Sequence, residues 1–172
     1  MWYPIFTNDS TQNNIILFSD NRGESFQSIQ VPQDFKQQYF TSTWSDENNG
    51  FISNGYGLTS FTTNGGIDWS SPLQNEEFRI RFAKCAKQTQ ILFARHYNEI
   101  IRSDDWGASW FSQGAPSNAR VKMFDVLDEN VVWAAGDNQL ILKTTSGGSM
   151  LSNIINSPRA IIPREKIGRA HV

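Results

Sequence analysis

Ser103-Asp104-Asp105-Trp106-Gly107-Ala108-Ser109-Trp110 is one copy of a pattern that the chain repeats. The pattern runs Ser or Thr, any residue, Asp or Asn, any residue, Gly, any residue, Ser or Thr, aromatic. Earlier copies are Ser19-Asp20-Asn21-Arg22-Gly23-Glu24-Ser25-Phe26 and Thr62-Thr63-Asn64-Gly65-Gly66-Ile67-Asp68-Trp69, and a decayed copy opens at Thr144-Thr145-Ser146-Gly147-Gly148. Gly23, Gly66, Gly107 and Gly148 stand 43, 41 and 41 residues apart. A fixed period in that range marks a propeller or another repeat array.

Runs rich in β-branched and aromatic residues lie on both sides of each octet, which places the octets at hairpin turns. Residues 14–18 and 26–31 flank the first. The second unit offers 39–44, 51–53 and 58–62, with Trp69 opening a fourth strand. The third offers 78–82, 91–95, 99–102 and 109–112, and the fourth 121–126, 131–135 and 140–144. Outside the octets the register agrees as well: Phe51 precedes Thr62 by 11 residues, and Trp133 precedes Thr144 by 11. Four short strands in each period of about 42 residues match the four-stranded blade of a propeller. The expected fold is therefore all-β, a partial β-propeller of about four four-stranded antiparallel blades over residues 1–155. Its octets fall at 19–26, 62–69, 103–110 and 144–151. A sandwich is the remaining architecture, but a sandwich does not need a fixed period.

Each octet position has a folding role. Glycine supplies the positive φ that a tight reversal needs, at Gly23, Gly66, Gly107 and Gly148. Asn21, Asn64 and Asp105 are placed to accept backbone N–H bonds within their own turns. The hydroxyls of Ser19, Thr62, Ser103 and Thr144 offer a second such bond. The closing aromatics Phe26, Trp69 and Trp110 are expected to pack on the adjoining strands, each worth roughly 1.5–3 kcal/mol.

Composition narrows the function. The 172 residues carry a net charge of −2, so no overall field draws the chain to nucleic acid or a membrane surface. Cys85 is the only cysteine, which excludes a disulfide framework and a thiolate metal site. No signal peptide or membrane span is visible, as Met1-Trp2-Tyr3-Pro4 leads straight into strand-like sequence. At the other end, Lys166-Ile167-Gly168-Arg169-Ala170-His171-Val172 matches the translation of a common short-read sequencing adapter. Residues 156–172 are expected to form an irregular tail, 166–172 to be adapter, and the chain to be a fragment whose partners include the remaining blades of its parent.

Candidate chemistry is sparse. Residues 78–102 hold Arg79, Arg81, Lys84, Lys87, Arg95 and Arg102 against Glu99, the one basic concentration in the chain. Alternation sets Phe78, Ile80 and Phe82 on one face and Arg79 and Arg81 on the other. Arg79, Arg81, Lys84 and Lys87 are thus the candidate binding residues for an anionic partner. His96 is the one histidine outside the tail and falls in a predicted hairpin turn, His96-Tyr97-Asn98, with no nucleophile elbow and no metal-ligand cluster near it in sequence. Asp46-Glu47-Asn48-Asn49-Gly50 has oxygen ligands but lacks the spaced terminal Glu of a calcium loop, and reads as a turn. Asp104 and Asp105 are adjacent and point apart. No catalytic residue, metal or cofactor is expected.

The octets resemble the Asp-box, or BNR, repeat, and the resemblance spans about residues 1–150. Gly57 through Trp69 and Val132-Trp133-Ala134-Ala135-Gly136 through Gly148 look most like the photosystem II stability and assembly factor-like propellers of the WD40/YVTN/BNR-like group. Sortilin- and sialidase-type propellers are more distant. The resemblance implies a propeller with more blades than four, often exported, so an extracytoplasmic location is expected. It also implies boxes on the blade rim, away from any central site. Phe78-Arg79-Ile80-Arg81 invites comparison with the Phe/Tyr-Arg-Ile-Pro segment of sialidases, but the proline is missing and the segment follows the second octet instead of preceding the first. The expected function is a non-catalytic protein-binding or assembly scaffold, with a protein partner and neither nucleic acid nor membrane insertion. The alternative is a fragment of a sialidase-type glycoside hydrolase or a carbohydrate-binding propeller, with a glycan partner.

Overall fold

Hairpins follow one another through the described residues, and the octets supply one reversal in each blade. The computed structural model describes residues 5–8, 14–35, 41–75, 77–114, 120–147 and 152–153. Four antiparallel sheets result, each pairing strands adjacent in sequence. The first holds β1 (Ile5–Asn8), β2 (Asn14–Phe18) and β3 (Gln27–Gln30). The second holds β4 (Thr41–Trp44), β5 (Gly50–Ser53), β6 (Leu58–Thr62) and β7 (Leu73–Gln74). β8 (Ala83–Cys85), β9 (Leu92–His96), β10 (Glu99–Ser103) and β11 (Phe111–Ser112) make the third. β12 (Val121–Val126), β13 (Val132–Gly136), β14 (Leu140–Thr144) and β15 (Ser152–Asn153) make the fourth. The architecture is a partial β-propeller, with three described strands in the first blade where four were expected. Among the described residues there is no α-helix, and no helix is long and apolar enough to cross a membrane. The 156–172 tail and Gly148 lie outside the described residues.

The octet turns share one geometry. The first hydroxyl accepts a bond from the glycine N–H four residues on: Ser19 from Gly23 at 2.7 Å, Thr62 from Gly66 at 2.9 Å, Ser103 from Gly107 at 2.8 Å. The same hydroxyl donates to the side-chain oxygen of Asn21, Asn64 or Asp105 at 2.8–3.0 Å. That oxygen in turn accepts the N–H of Ser25, Asp68 or Ser109. Gly23, Gly66 and Gly107 have φ of 90°, 84° and 87°. In the decayed copy Thr144 Oγ1 still accepts the N–H of Ser146 at 3.2 Å, the counterpart of the Thr62–Asn64 and Ser103–Asp105 bonds. In the second, third and fourth octets the fourth residue ties the turn to the first hairpin of its own blade: Gly65 N–H to Asn48 O, Trp106 N–H to Gln90 O, Gly147 N–H to Asn130 O.

Burial alone would raise the Asp105 carboxyl, but bonds from Ser109 and Ser103 outweigh it and hold the group below the usual carboxylate range. A depressed folded value contributes stability that is present above the unfolded pKa and lost as pH falls through the folded one. Asn21 and Asn64 make the same bonds without a charge, and Asn21 Nδ2 donates to Ser25 Oγ where Asp105 accepts from Ser109 Oγ. Asp105→Asn is therefore expected to shift stability at neutral pH by no more than about 0.5–1 kcal/mol and to remove this share of the acid sensitivity. Denaturant midpoints at neutral and acid pH check both; a loss of several kcal/mol at neutral pH contradicts the equivalence.

Blades join through alternate residues of the middle strands. Phe51 of β5 packs with Ile80, Leu92, Ile101 and Trp110 of the third blade, while its neighbour Ile52 packs with Ile16, Ile29 and Phe35 of the first. Phe35 belongs to a 3-10 turn at Gln33–Phe35 that fills the end of that joint. Phe93 and Ile100 meet Phe124, Val132 and Leu142 of the fourth blade. The third blade is thus covered on both faces. Phe51 and Trp110 cross edge to face at 6.1 Å, as do Trp44 and Trp69. Trp69 Nε1 also donates across the joint to Gln30 O at 3.1 Å.

Three sequence expectations need correction. Residues 78–82 alternate in burial as expected, with Ile80 buried and Arg79 and Arg81 exposed, but they form no strand. Only Phe82 O meets the sheet, accepting the Arg95 N–H at 3.0 Å; before it, Asn75 Oδ1 takes the N–H groups of Glu77 and Phe78, and Ser53 Oγ of the second blade donates to Ile80 O at 2.8 Å. Trp69 does not open a strand either. Ser70 Oγ takes the Phe61 N–H at 3.1 Å in place of a ladder carbonyl, and pairing resumes only at Leu73. Finally, Phe26 does not bury its ring; it is 45% exposed, whereas Trp110 is 8% exposed.

Candidate functional site

Within a blade, successive strands run in opposite directions, so the connections fall at two ends. The octets and the β4–β5, β8–β9 and β12–β13 turns share one end. The segments entering β8 and β12, and the Tyr97–Asn98 turn between β9 and β10, share the other.

At this second end lies a recess of about 280 Å3. Arg79 and Arg81 come from the segment entering β8, Arg95 from the end of β9, and Lys122 from β12 of the next blade. His96, Tyr97, Asn98 and Val121 complete the wall, and among the described residues no carboxylate lines it. Arg95 Nη1 donates to Lys122 O at 2.8 Å, and Val121 N–H donates to Asn98 O at 3.2 Å, so both blades fix the recess. Lys122 Nζ stands 3.4 Å from Asp137, an exposed pair of little energetic weight.

The aromatic side of the recess is built around His96. Its ring is 8% exposed, meets Phe78 edge to face at 5.1 Å and Tyr97 at 4.4 Å, and its buried Nδ1 has no hydrogen-bond partner among the described residues. Tyr97 adopts φ of 50° and is 76% exposed. Left-handed backbone costs a non-glycine residue about 1–2 kcal/mol, and here an exposed phenol is held in it at the lip of a cationic recess.

The four cations singled out by sequence separate into two sites. Arg79 and Arg81 line the recess. Lys84 and Lys87 line a different cavity of about 570 Å3 between β4, β8 and β12. The reason is direction: β8 leads from the recess end to the octet end, so residues 79 to 87 traverse the blade. Lys84 Nζ bonds Asp125 Oδ1 of the fourth blade at 2.5 Å, and this bond is the main cause that holds the Asp125 carboxyl below its ordinary range. In the same cavity, burial acts to raise Asp46, but the Asn49 side chain and the N–H groups of Asn48 and Asn49 prevail and lower it. Burial pushes the Cys85 thiol up to about 12, so it carries no thiolate at neutral pH. Among the described residues no three His, Cys, Asp or Glu side chains gather as metal ligands.

Arg95, Lys122 and Tyr97 were not singled out as binding residues. The repeat itself carried the signal for Lys122: Arg120-Val121-Lys122 lies 41 residues after Arg79-Ile80-Arg81, and Val121 and Ile80 are the buried centres of the two triplets. Arg95 and Tyr97 could be placed only once the β9–β10 register was known.

No protein-family model matches the chain, and no curated protein matches it in sequence. Solved structures do. YCF48 bound to a D1 peptide superposes with a TM-score of 0.54 at 13% identity, over 68% of this chain and 39% of that one. YCF48 from Cyanidioschyzon merolae gives 0.51 at 20% identity, over 67% and 36%. The GH74 enzyme of Niastella koreensis gives 0.54 at 12% identity, over 88% and 24%. The chain therefore spans less than half the length of these proteins, and what it shares with them is the propeller fold.

Proposed function

We propose that the chain is a non-catalytic protein-binding or assembly scaffold, built on Asp-box propeller repeats and similar in role to the photosystem II assembly factors. Arg79, Arg81, Arg95 and Lys122 receive a carboxylate-bearing segment of the partner. The observation that carries this reading is the convergence of four cations from two blades on one recess with no carboxylate among the described residues of its wall. Guanidinium groups pair carboxylates bidentately, and clustered like charge raises both affinity and the rate of encounter. The left-handed, exposed Tyr97 adds an aromatic contact at the rim. That a YCF48 structure holds a D1 peptide supports a protein as the class of partner.

The competing reading is a sialidase-type glycoside hydrolase or a carbohydrate-binding propeller. Glycoside hydrolysis by a carboxyl pair needs one acid kept protonated beside a second carboxylate, whereas sialidases use a tyrosine nucleophile instead. Asp46 and Asp125 are the acids lining the inter-blade cavity, and the bonds each accepts lower both, so this cavity does not supply the protonated member of a carboxyl pair.

Fluorescence anisotropy with a labelled Asp/Glu-rich peptide tests the proposal. Arg79→Glu combined with Arg81→Glu is expected to weaken binding about tenfold or more, with a shallower salt dependence. Lys84 is left intact because it joins two blades. Equal affinity in the variant and the parent chain overturns the assignment of the recess.

A further inference from the structure

At the recess end, the joint between the second and third blades and the joint between the third and fourth present the same surface. Arg79 stands 24 residues before the octet hydroxyl of Ser103, and Arg120 stands 24 before that of Thr144. In both triplets, Arg79-Ile80-Arg81 and Arg120-Val121-Lys122, the apolar centre is buried and the cations beside it are exposed. Each triplet is pinned to the middle hairpin of the preceding blade or its base: Ser53 Oγ donates to Ile80 O at 2.8 Å, and Val121 N–H donates to Asn98 O at 3.2 Å. Each of those hairpins also turns a tyrosine outward, six residues before the octet hydroxyl. Tyr56 is 54% exposed and Tyr97 76%.

Tyr56 stands where the chain departs for the next blade, since Asn75 N–H donates to Gly57 O at 2.9 Å and the segment 77–81 follows. The order across the two joints is therefore Tyr56, Arg79 with Arg81, Tyr97, and Lys122 with Arg120. Arg95 Nη1, bonded to Lys122 O, adds a fifth cation between the triplets. Tyr56 and Arg120 lie outside the recess wall. Among the described residues three acids share these segments. Glu99 accepts from Ser112 Oγ at 2.5 Å, Asp137 stands 3.4 Å from Lys122, and Glu77 precedes the first triplet. Positive charge remains in excess.

We infer that this surface holds an extended acidic segment of the protein partner whose carboxylates recur at every third residue. The inference rests on the recess reading above and widens it from one anion site to two. Packed sheets stand about 10 Å apart, so equivalent points on neighbouring blades repeat at about that distance. A polyproline II segment has three residues per turn and rises about 3.1 Å per residue, which puts residues i and i+3 on one side about 9 Å apart. One carboxylate meets Arg79 and Arg81, and the next meets Lys122 and Arg120. Tyr56 and Tyr97 stand on either side of the first pair and pack against the residues between the acids, as aromatic rims hold proline-rich segments. Single-stranded nucleic acid uses the same kinds of group, but a net charge of −2 gives this chain no general field for a polyanion.

Fluorescence anisotropy with the full chain compares two labelled peptides of identical composition, one a run of Glu-Pro-Pro triplets and the other with its glutamates gathered at one end. The triplet peptide is expected to bind about tenfold more tightly, because its second carboxylate engages from an already tethered position. Arg120→Glu and Tyr56→Ala, each checked for folding by circular dichroism, are expected to remove most of that advantage and to change the affinity of the clustered peptide less than about twofold. If the two peptides bind equally and neither variant matters, the recess acts alone: the two-site inference falls and the recess reading stands. A triplet preference that survives both variants also overturns the inference. If neither peptide binds, the recess reading fails and takes the inference with it. An oligothymidylate that binds more tightly than both peptides at the same salt assigns the surface to nucleic acid and overturns the inference as well.

Discussion

Trp110→Ala is expected to cost about 3–5 kcal/mol of stability, the range for truncating a large buried aromatic, whereas Phe26→Ala at the same octet position is expected to cost less than about 1 kcal/mol. The two side chains close identical turns, and the difference lies in what stands opposite. Trp110 crosses the Phe51 ring at 6.1 Å and 66°, and its Nε1 donates to Gly107 O at 3.0 Å. Removing it opens a void against Phe51 and Ile101 and leaves a buried carbonyl without its donor. Phe26 is 45% exposed, so its loss opens no closed cavity. Because the joint lies between the second and third blades, its loss also uncouples the two halves of the array, as expected where stability is a sum of nearest-neighbour terms. Denaturant midpoints at constant slope measure both variants. Equal shifts would mean that the octet aromatic acts within its own turn and that its packing across the joint contributes nothing.

The contrast between Trp110 and Phe26 marks the boundary of what could be read from sequence. Period, blade number, turn residues and positive-φ glycines were legible because each is a local demand: Ser103, Asp105 and Gly107 bond within eight residues, and no distant neighbour alters that. Burial of the closing aromatic was not legible, because it is decided by a different blade. The alternation of Phe78, Ile80 and Phe82 gave the correct buried face and the wrong element. A side chain sees only whether its face is covered, while a strand also requires ladder partners, and Ser53 and Asn75 supply the bonds here instead. The cation cluster was misgrouped for a related reason. Proximity in sequence brought Lys84 and Lys87 to Arg81, but an extended strand carries them apart at about 3.3 Å per residue, and the residue that joins Arg81 in space, Lys122, lies one period further on.

Gly107→Ala separates the two physical demands on the octet glycine. A Cβ at φ of 87° costs about 1–2 kcal/mol from backbone sterics alone. The added methyl would also sit 2.6 Å from Phe51 Cε2 and 3.3 Å from Trp110 Cζ2, and forcing an extra carbon into a packed interior costs about 1–3 kcal/mol more. The expected total is about 2–5 kcal/mol. Gly23→Ala is the internal control, with φ of 90° but its nearest neighbour, Phe26 Cζ, at 3.8 Å, so only the backbone share of about 1–2 kcal/mol applies. Gly66 belongs with Gly107, since its Cβ would run into Ile29 of the first blade. Trimming the opposing ring should then relieve the contact but not the backbone strain: Gly107→Ala in a Phe51→Leu background is expected to cost less than in the parent by about 1 kcal/mol or more, a coupling that residues in contact produce and independent ones do not. If Gly107→Ala and Gly23→Ala shift the unfolding midpoint equally and the cycle is additive, the glycine serves the turn alone. If they differ as expected, the same residue that bends each hairpin also sets how closely one blade approaches the last, which is why the octet recurs once per blade at the joint and not at the other hairpins.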